Sequence, residues 1–157
     1  MWVMQDDPLG FLIGDCSRLL RKRFDASARA LGVSRAQWQV LVALSRQEGT
    51  NQAGLAEYLE VETITLCRMV DRLQEAGLVE RRADPADRRA WKLYLTEPAG
   101  PLLDQLRQIG GALVEEALNG ISLPLRESLY DGLAALRNNL SARGPATLPD
   151  APQQERA

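Results

Sequence analysis

Between Thr50 and Thr96 the chain is punctuated so closely that few folds can accommodate it. Thr50 and Asn51 are residues that cap helix N-termini, and Leu55, Ala56 and Leu59 come next at helical spacing within Gln52 to Leu59. Glu60 and Val61 interrupt. A longer helix is expected from about Glu62 to Ala76, closed by Gly77 as the left-handed residue past a C-cap. Its inward residues would be Ile64, Cys67 or Leu66, Val70 and Leu73. A short helix, a tight turn and a second helix make a helix-turn-helix pattern, which many small bundles share. The next eighteen or so residues narrow the choice. Leu78 to Ala83 reads as a strand, and Asp84-Pro85-Ala86-Asp87 is dense in turn formers. Trp91 to Leu95 alternates as a second strand, with Trp91, Leu93 and Leu95 on one face. A helix-turn-helix running straight into an arginine-tipped hairpin is the winged variant.

Leucine-rich stretches flank this unit. Leu9, Leu12, Cys16, Leu19, Leu20, Phe24, Ala28 and Leu31 recur every three or four residues and predict a helix from about Pro8 to Leu31, stopped at Gly32. Ser34 can cap a second helix with Trp38, Leu41, Val42 and Leu44 apolar, ending near Gly49. After the hairpin, Thr96 is expected to cap a helix with Pro98 in its first turn, carrying Leu102 through Leu118. Gly120 breaks it. Ser122 caps a last helix with Leu125, Leu129, Leu133, Leu136 and Leu140.

The expected fold is therefore mainly α with a small β-hairpin wing. It divides into an N-terminal dimerisation helix (1–31), a winged helix-turn-helix (32–96), C-terminal dimerisation helices (97–140) and a disordered tail (141–157). One chain of 157 residues has little core for three such flanking helices to share. Packing on a second copy about a two-fold axis answers this; an intramolecular three-helix bundle is the alternative.

Composition removes whole classes of chemistry. With no histidine in the chain, Ser-His-Asp and Cys-His pairs and most zinc sites are excluded. The two cysteines, Cys16 and Cys67, form no CxxC motif and read as small packed residues rather than ligands or redox sensors. Neither an enzyme nor a metal or cofactor site is expected. No run approaches the roughly 18 apolar residues of a membrane span. The acidic start, with Asp6 and Asp7, lacks the basic region of a secretory leader, so a cytoplasmic protein is expected.

Net charge is −2, which at first argues against an anionic partner. The distribution reverses that argument. Residues 68–92 hold 7 basic and 5 acidic side chains, and within Arg81–Lys92 there are five basic against two acidic. A basic patch on one face, not a basic protein, is what duplex DNA requires.

These residues resemble the MarR family of bacterial regulators. The run from Gly32 through Trp38 to Leu41 is similar to the family's second helix, and Asn51 to Leu59 to its first helix-turn-helix segment. Arg68 to Arg81 looks like its recognition helix and the strand after it; Asp84-Pro-Ala-Asp-Arg-Arg with Leu93-Tyr-Leu-Thr-Glu looks like its wing. The resemblance spans about Gly10 to Leu140. It implies a homodimer on a pseudo-palindromic operator, usually a repressor released by a small, often aromatic, ligand. It also implies that Asp87 and Arg89 brace the wing. Two departures stand out. The family's glycine after Thr-Glu falls one residue late, behind Pro98-Ala99. The cysteine of peroxide-sensing members would fall nearer Phe11 than Cys16, so thiol sensing is not inherited.

The start of the recognition helix is expected in the major groove. Thr63, Thr65, Leu66 and Arg68 are candidates to meet bases, and Arg72 to meet phosphate or to pair with Glu75 or Asp71. Gln52 can offer its amide and backbone N–H to phosphate. Arg88 and Arg89 suit the minor groove, against the plainer alternative of a surface ion pair with Asp84 or Asp87. Arg81 and Arg82 read equally as phosphate anchors or as strand surface. Arg21, Lys22 and Arg23 read as a solvated face. An effector pocket would be lined by Phe11, Asp15, Arg18, Trp38 and Trp91, with core packing an equal alternative for each. Competing functions are a winged-helix module that binds protein, and a regulator without ligand control.

Overall fold

The computed structural model describes residues 8–142. The expected disordered tail lies almost wholly outside them. The order is α1 (Leu9–Ala30), α2 (Arg35–Arg46), α3 (Gln52–Tyr58), α4 (Thr63–Glu75), β1 (Val79–Ala83), β2 (Trp91–Leu95), α5 (Ala99–Ala117) and α6 (Leu123–Ser141). Chain contacts divide it into one compact unit through Ala117 and a second from Leu118 onward. No helix of the described residues is long and apolar enough to cross a membrane.

Three helices of the first unit end in the same device. After α1, Gly32 sits at φ 75° and donates to the Arg29 carbonyl, while Val33 donates to the Ala28 carbonyl. After α4, Gly77 at φ 73° and Leu78 repeat these bonds on Gln74 and Leu73. These paired bonds satisfy carbonyls that the helix end would orphan, and they need a left-handed residue. The turn after α3 makes the same bonds, Glu60 to Glu57 and Val61 to Ala56, but Glu60 occupies the left-handed position at φ 55°. A Cβ there costs about 1 kcal/mol. Glu60→Gly is therefore expected to stabilise the fold by roughly 0.5 kcal/mol once the extra freedom of an unfolded glycine is subtracted. Urea melts of the two proteins check this; a lower midpoint for the variant would refute it.

Side chains cap two of the helix starts; α1, α4 and α6 have no side-chain cap bond. Ser34 and Gln37 form a reciprocal capping box at α2, and Asn51 Oδ1 accepts the Gly54 N–H at 2.7 Å to cap α3. Thr96 does not cap α5. Its hydroxyl donates to the Gly77 carbonyl at 2.5 Å and its N–H to the Leu78 carbonyl, so it closes the base of the hairpin. The helix then begins three residues later, at Ala99.

The hairpin pairs Val79 with Leu95 through to Ala83 with Trp91 in antiparallel register. A third short segment, not evident in the sequence, joins it. Gly49 N–H donates to the Leu93 carbonyl, Leu93 N–H to the Thr50 carbonyl, and Asn51 bridges Lys92. This pins the loop before α3 to the wing. Gly49 lies at φ 83° with Tyr94 so close that a Cβ would stand 3.3 Å from its hydroxyl.

The core is built from Val40, Leu41 and Leu44 of α2, Leu55 of α3, Leu66, Val70 and Leu73 of α4, Val79, Leu93 and Leu103. A second cluster around Ala28, Val33 and Leu106 packs α1 and α5 on α2 through Phe24, Trp38 and Leu102. An Arg23–Glu116 pair ties α1 to the end of α5 at 2.8 Å for both carboxylate oxygens. In the second unit, Arg126 closes the turn into α6 on the carbonyls of Leu118 and Ile121, both at 2.9 Å. Not one residue of α6 is buried.

Candidate nucleic-acid interface

α4, the helix that the resemblance makes the recognition helix, is oriented by its buried stripe. Leu66, Val70 and Leu73 recur at four and three residues and are all fully enclosed. Leu66 therefore points into the core, and the expectation that it meets bases is corrected: its side chain is 0% exposed. Ile64 changes places with it. Expected to face inward, Ile64 is 61% exposed, because it precedes Leu66 by two residues and so lies across the helix. An apolar β-branched residue off the leucine stripe was the available signal. Thr63, Thr65, Arg68 and Arg72 are all exposed.

Charge pairing separates the arginines of this region. Asp71 is taken by Arg81 at 2.7 Å, so the alternative of an Arg72–Asp71 pair is not realised. Arg82 pairs with Glu80 and lies over the Tyr94 ring, 4.0 Å from its centroid. Lys92 approaches Asp84 at 3.9 Å. Arg81 is largely buried and bonded on every side. Its Nε donates to Gln52 Oε1 at 2.9 Å, Nη1 to Gln74 Oε1 at 2.8 Å, and Nη2 to the Cys67 carbonyl at 3.3 Å. The amide oxygen of Gln52 is thus committed inside the protein. Cys67 is half-buried and Cys16 exposed; among the described residues no group of three ligating side chains could hold a metal ion.

The wing tip is folded by two aspartates. Asp84 Oδ1 accepts the Ala86 N–H at 2.9 Å, and Asp87 Oδ1 accepts the Arg89 N–H at 3.0 Å. Ala90 N–H closes the turn on the Asp87 carbonyl, also at 3.0 Å. Asp87 braces Arg89 through the backbone, so neither Arg88 nor Arg89 spends its guanidinium on the turn. Both are exposed. Among the described residues no hydrogen bond or ion pair engages the side chains of Arg68, Arg72, Arg88 or Arg89.

The five residues expected to line an effector pocket are placed in three settings. Phe11 stands exposed on α1, where Asp15 and Arg18 pair with each other at 3.3 Å. Trp91 is exposed at the start of β2. Trp38 is packed edge-on against Phe24, with ring centroids 4.6 Å apart. Its indole N–H donates to Asp25 Oδ1 at 2.7 Å, and Arg35 Nε donates to Asp25 Oδ2 at 2.6 Å. An open groove beside α4 is lined by Asp71, Gln74, Glu75 and Arg81 and contains none of the five.

Asp25 is the one buried charge among the described residues, 8% exposed, and it latches α1 to α2. In the sequence it stands out only as a neighbour of a basic run. The hydrogen bond from Arg35 holds its carboxyl below the usual value of 3.8; burial opposes this, and the Trp38 bond reinforces it. The folded state thus favours the carboxylate, and the unfolded chain binds the proton more tightly. The latch contributes fully above pH 3.8 and its contribution drains away as pH falls through the folded value. Asp25→Ala is expected to cost about 1–2 kcal/mol at pH 7, mostly from the unsatisfied indole, since half of the Arg35 side chain lies in water. Urea melts at pH 7 and pH 3 check this: the gap between variant and parent must narrow in acid, and a constant gap refutes the assignment.

Comparison with known proteins agrees with this geometry. Residues 31–90 match the model of the MarR family. The solved structure of the transcriptional regulator PA3341 is 34% identical, with a TM-score of 0.74 over 87% of this chain and 100% of that one. Wild-type MarR from E. coli, in its apo form, is 26% identical, with a TM-score of 0.76 over 84% of this chain and 98% of that one. The transcriptional regulator SlyA is 26% identical, with a TM-score of 0.73 over 87% and 96%. With its winged helix-turn-helix and these matches along most of its length, the chain belongs to the MarR family and is a DNA-binding transcription regulator.

Proposed function

We propose that two copies of this chain form a symmetric dimer that grips a pseudo-palindromic operator, with each α4 in a major groove and each wing in the adjoining minor groove. The observation that carries this reading is the division of the cations between Arg68 and Lys92. Arg81, Arg82 and Lys92 are engaged by acidic side chains, whereas Arg68, Arg72, Arg88 and Arg89 are free of them among the described residues. Free cations can replace the counterions of phosphates, and an arginine with no internal partner can pair with a guanine edge. In this reading Thr63, Ile64, Thr65 and Arg68 meet bases, and Gln52 reaches phosphate only through its remaining N–H groups.

The dimer rests on apolar side chains left in water. Leu9, Phe11, Leu12 and Leu19 of α1 are exposed, as are Leu125, Leu129, Leu133 and Leu140 of α6. Isolated exposed leucines are ordinary; a helical stripe of them on each unit supports apolar surfaces for a second copy to cover. The segments 1–31 and 97–140 serve as dimerisation elements in this reading. Gel filtration with light scattering at micromolar concentration is expected to give the mass of two chains, and a monomer would overturn the arrangement.

In vitro selection from random duplexes tests the DNA reading. It is expected to return a palindrome whose half-sites lie about 34 Å apart, one helical turn. Binding should fall steeply with salt; a protein-binding module has no need of the free arginines and would show no such dependence. We extend the reading to a cytoplasmic repressor relieved by a small aromatic acid. Trp38 provides a reporter, since its indole sits on the α1–α2 latch. A fluorescence change coupled to release of DNA supports this extension, and silence across aromatic carboxylates and their thioesters favours regulation without a ligand.

A further inference from the structure

We infer that Arg81 is the positioning residue of the reading head: it sets the angle between α3, α4 and the wing, and through it the discrimination between operator and other duplex. This rests on the DNA reading above. Arginine has five N–H donors in a rigid fork. Here the fork leaves β1 and reaches the first residue of α3 (Gln52), a backbone carbonyl in the middle of α4 (Cys67) and two side chains near its end (Asp71 and Gln74). The contacts on α4 span two turns, from Cys67 to Gln74, so both the roll and the tilt of the helix are constrained. The side chain is 18% exposed against 56% for Asp71. A phosphate anchor would be turned the other way, with its nitrogens in water.

The same strand leads to the wing tip. β1 ends at Ala83, and Asp84 begins the turn that carries Arg88 and Arg89. One guanidinium therefore joins the three elements that the proposed interface uses. Lysine cannot replace it, because its one nitrogen sits at a single point, whereas the guanidinium reaches four acceptors from three separate nitrogens. Misplacing α4 by a fraction of an ångström leaves phosphate contacts nearly intact, since they tolerate small shifts, but spoils bidentate base contacts.

The test measures affinity for selected operator and for unrelated duplex across a range of salt, in the full-length protein and three variants. Arg81→Met removes the fork and keeps the bulk. Asp71→Asn with Gln74→Ala removes anchors on α4 while leaving the arginine charge in place, and covers the case in which Arg81→Met fails to fold. Both are expected to lower the preference for operator on the order of tenfold, about the discrimination carried by one base pair, with the slope of log affinity against log salt unchanged. Arg81→Lys is expected to recover little of the loss. Two outcomes overturn the inference: an unchanged preference in a folded variant, or a slope reduced by about 0.9 in Arg81→Met alone for each half-site bound, the mark of a lost phosphate contact. If the parent protein shows no preference for any duplex, the DNA reading itself fails, and that result is separate.

Discussion

Replacing Arg88 and Arg89 together by alanine is expected to weaken operator binding by roughly 2–6 kcal/mol per dimer, about thirtyfold at the low end, with no loss of stability. In the proposed dimer each wing would lose a specific groove contact, and two-fold symmetry would apply the loss twice. Stability should not change because neither guanidinium holds the turn. The Asp84 and Asp87 carboxylates hold it, on the backbone N–H groups of Ala86 and Arg89. Titration of labelled operator at fixed salt, paired with a thermal melt, checks both halves. Unchanged affinity would rule the wing out as a DNA contact. Asp87→Ala makes the contrast, since it should disturb the tip while removing no cation.

The second large effect is expected at α6. Changing Leu129 and Leu133 together to glutamate should leave the chain folded but monomeric at micromolar concentration, and should reduce operator binding to that of a single half-site. Neither side chain is buried within one copy, so the fold of the copy does not depend on them. Placed in a two-fold interface, each carboxylate would be desolvated without a partner. Light scattering reads the mass and far-ultraviolet circular dichroism reads the helix content. A dimer that survives both substitutions would move the interface away from this face.

Helix capping is legible along much of the chain because it is local chemistry, although Ser122, expected to cap α6, makes no side-chain cap bond. Ser34 and Asn51 cap the helices expected of them, and Gly32, Gly77 and Gly120 take the left-handed positions. Thr96 departs from the same reasoning for a non-local reason: its hydroxyl finds the Gly77 carbonyl nineteen residues away. The orientation of α4 is less legible. Ile64 and Leu66 are both apolar and two positions apart, so periodicity allows either to point inward until the core closes around Leu66.

The candidate site divides along the same line. Arginine density between Arg68 and Lys92 marks the reading head in the bare sequence. Density cannot say which arginine is free. That depends on Asp71, Gln52 and Gln74 converging on Arg81, and on Glu80 engaging Arg82. The Asp25 latch belongs with these: its partners lie ten and thirteen residues away, across a helix boundary.

By itself, then, the sequence determined the element order, the winged unit and the basic segment, because caps, turn formers and hydrophobic period act over a few residues. Only the tertiary structure decided which arginines are spent inside the protein and which are left for a partner. The physical reason is that a guanidinium's fate is set by acceptors brought near it in space, and those acceptors come from other elements of the chain.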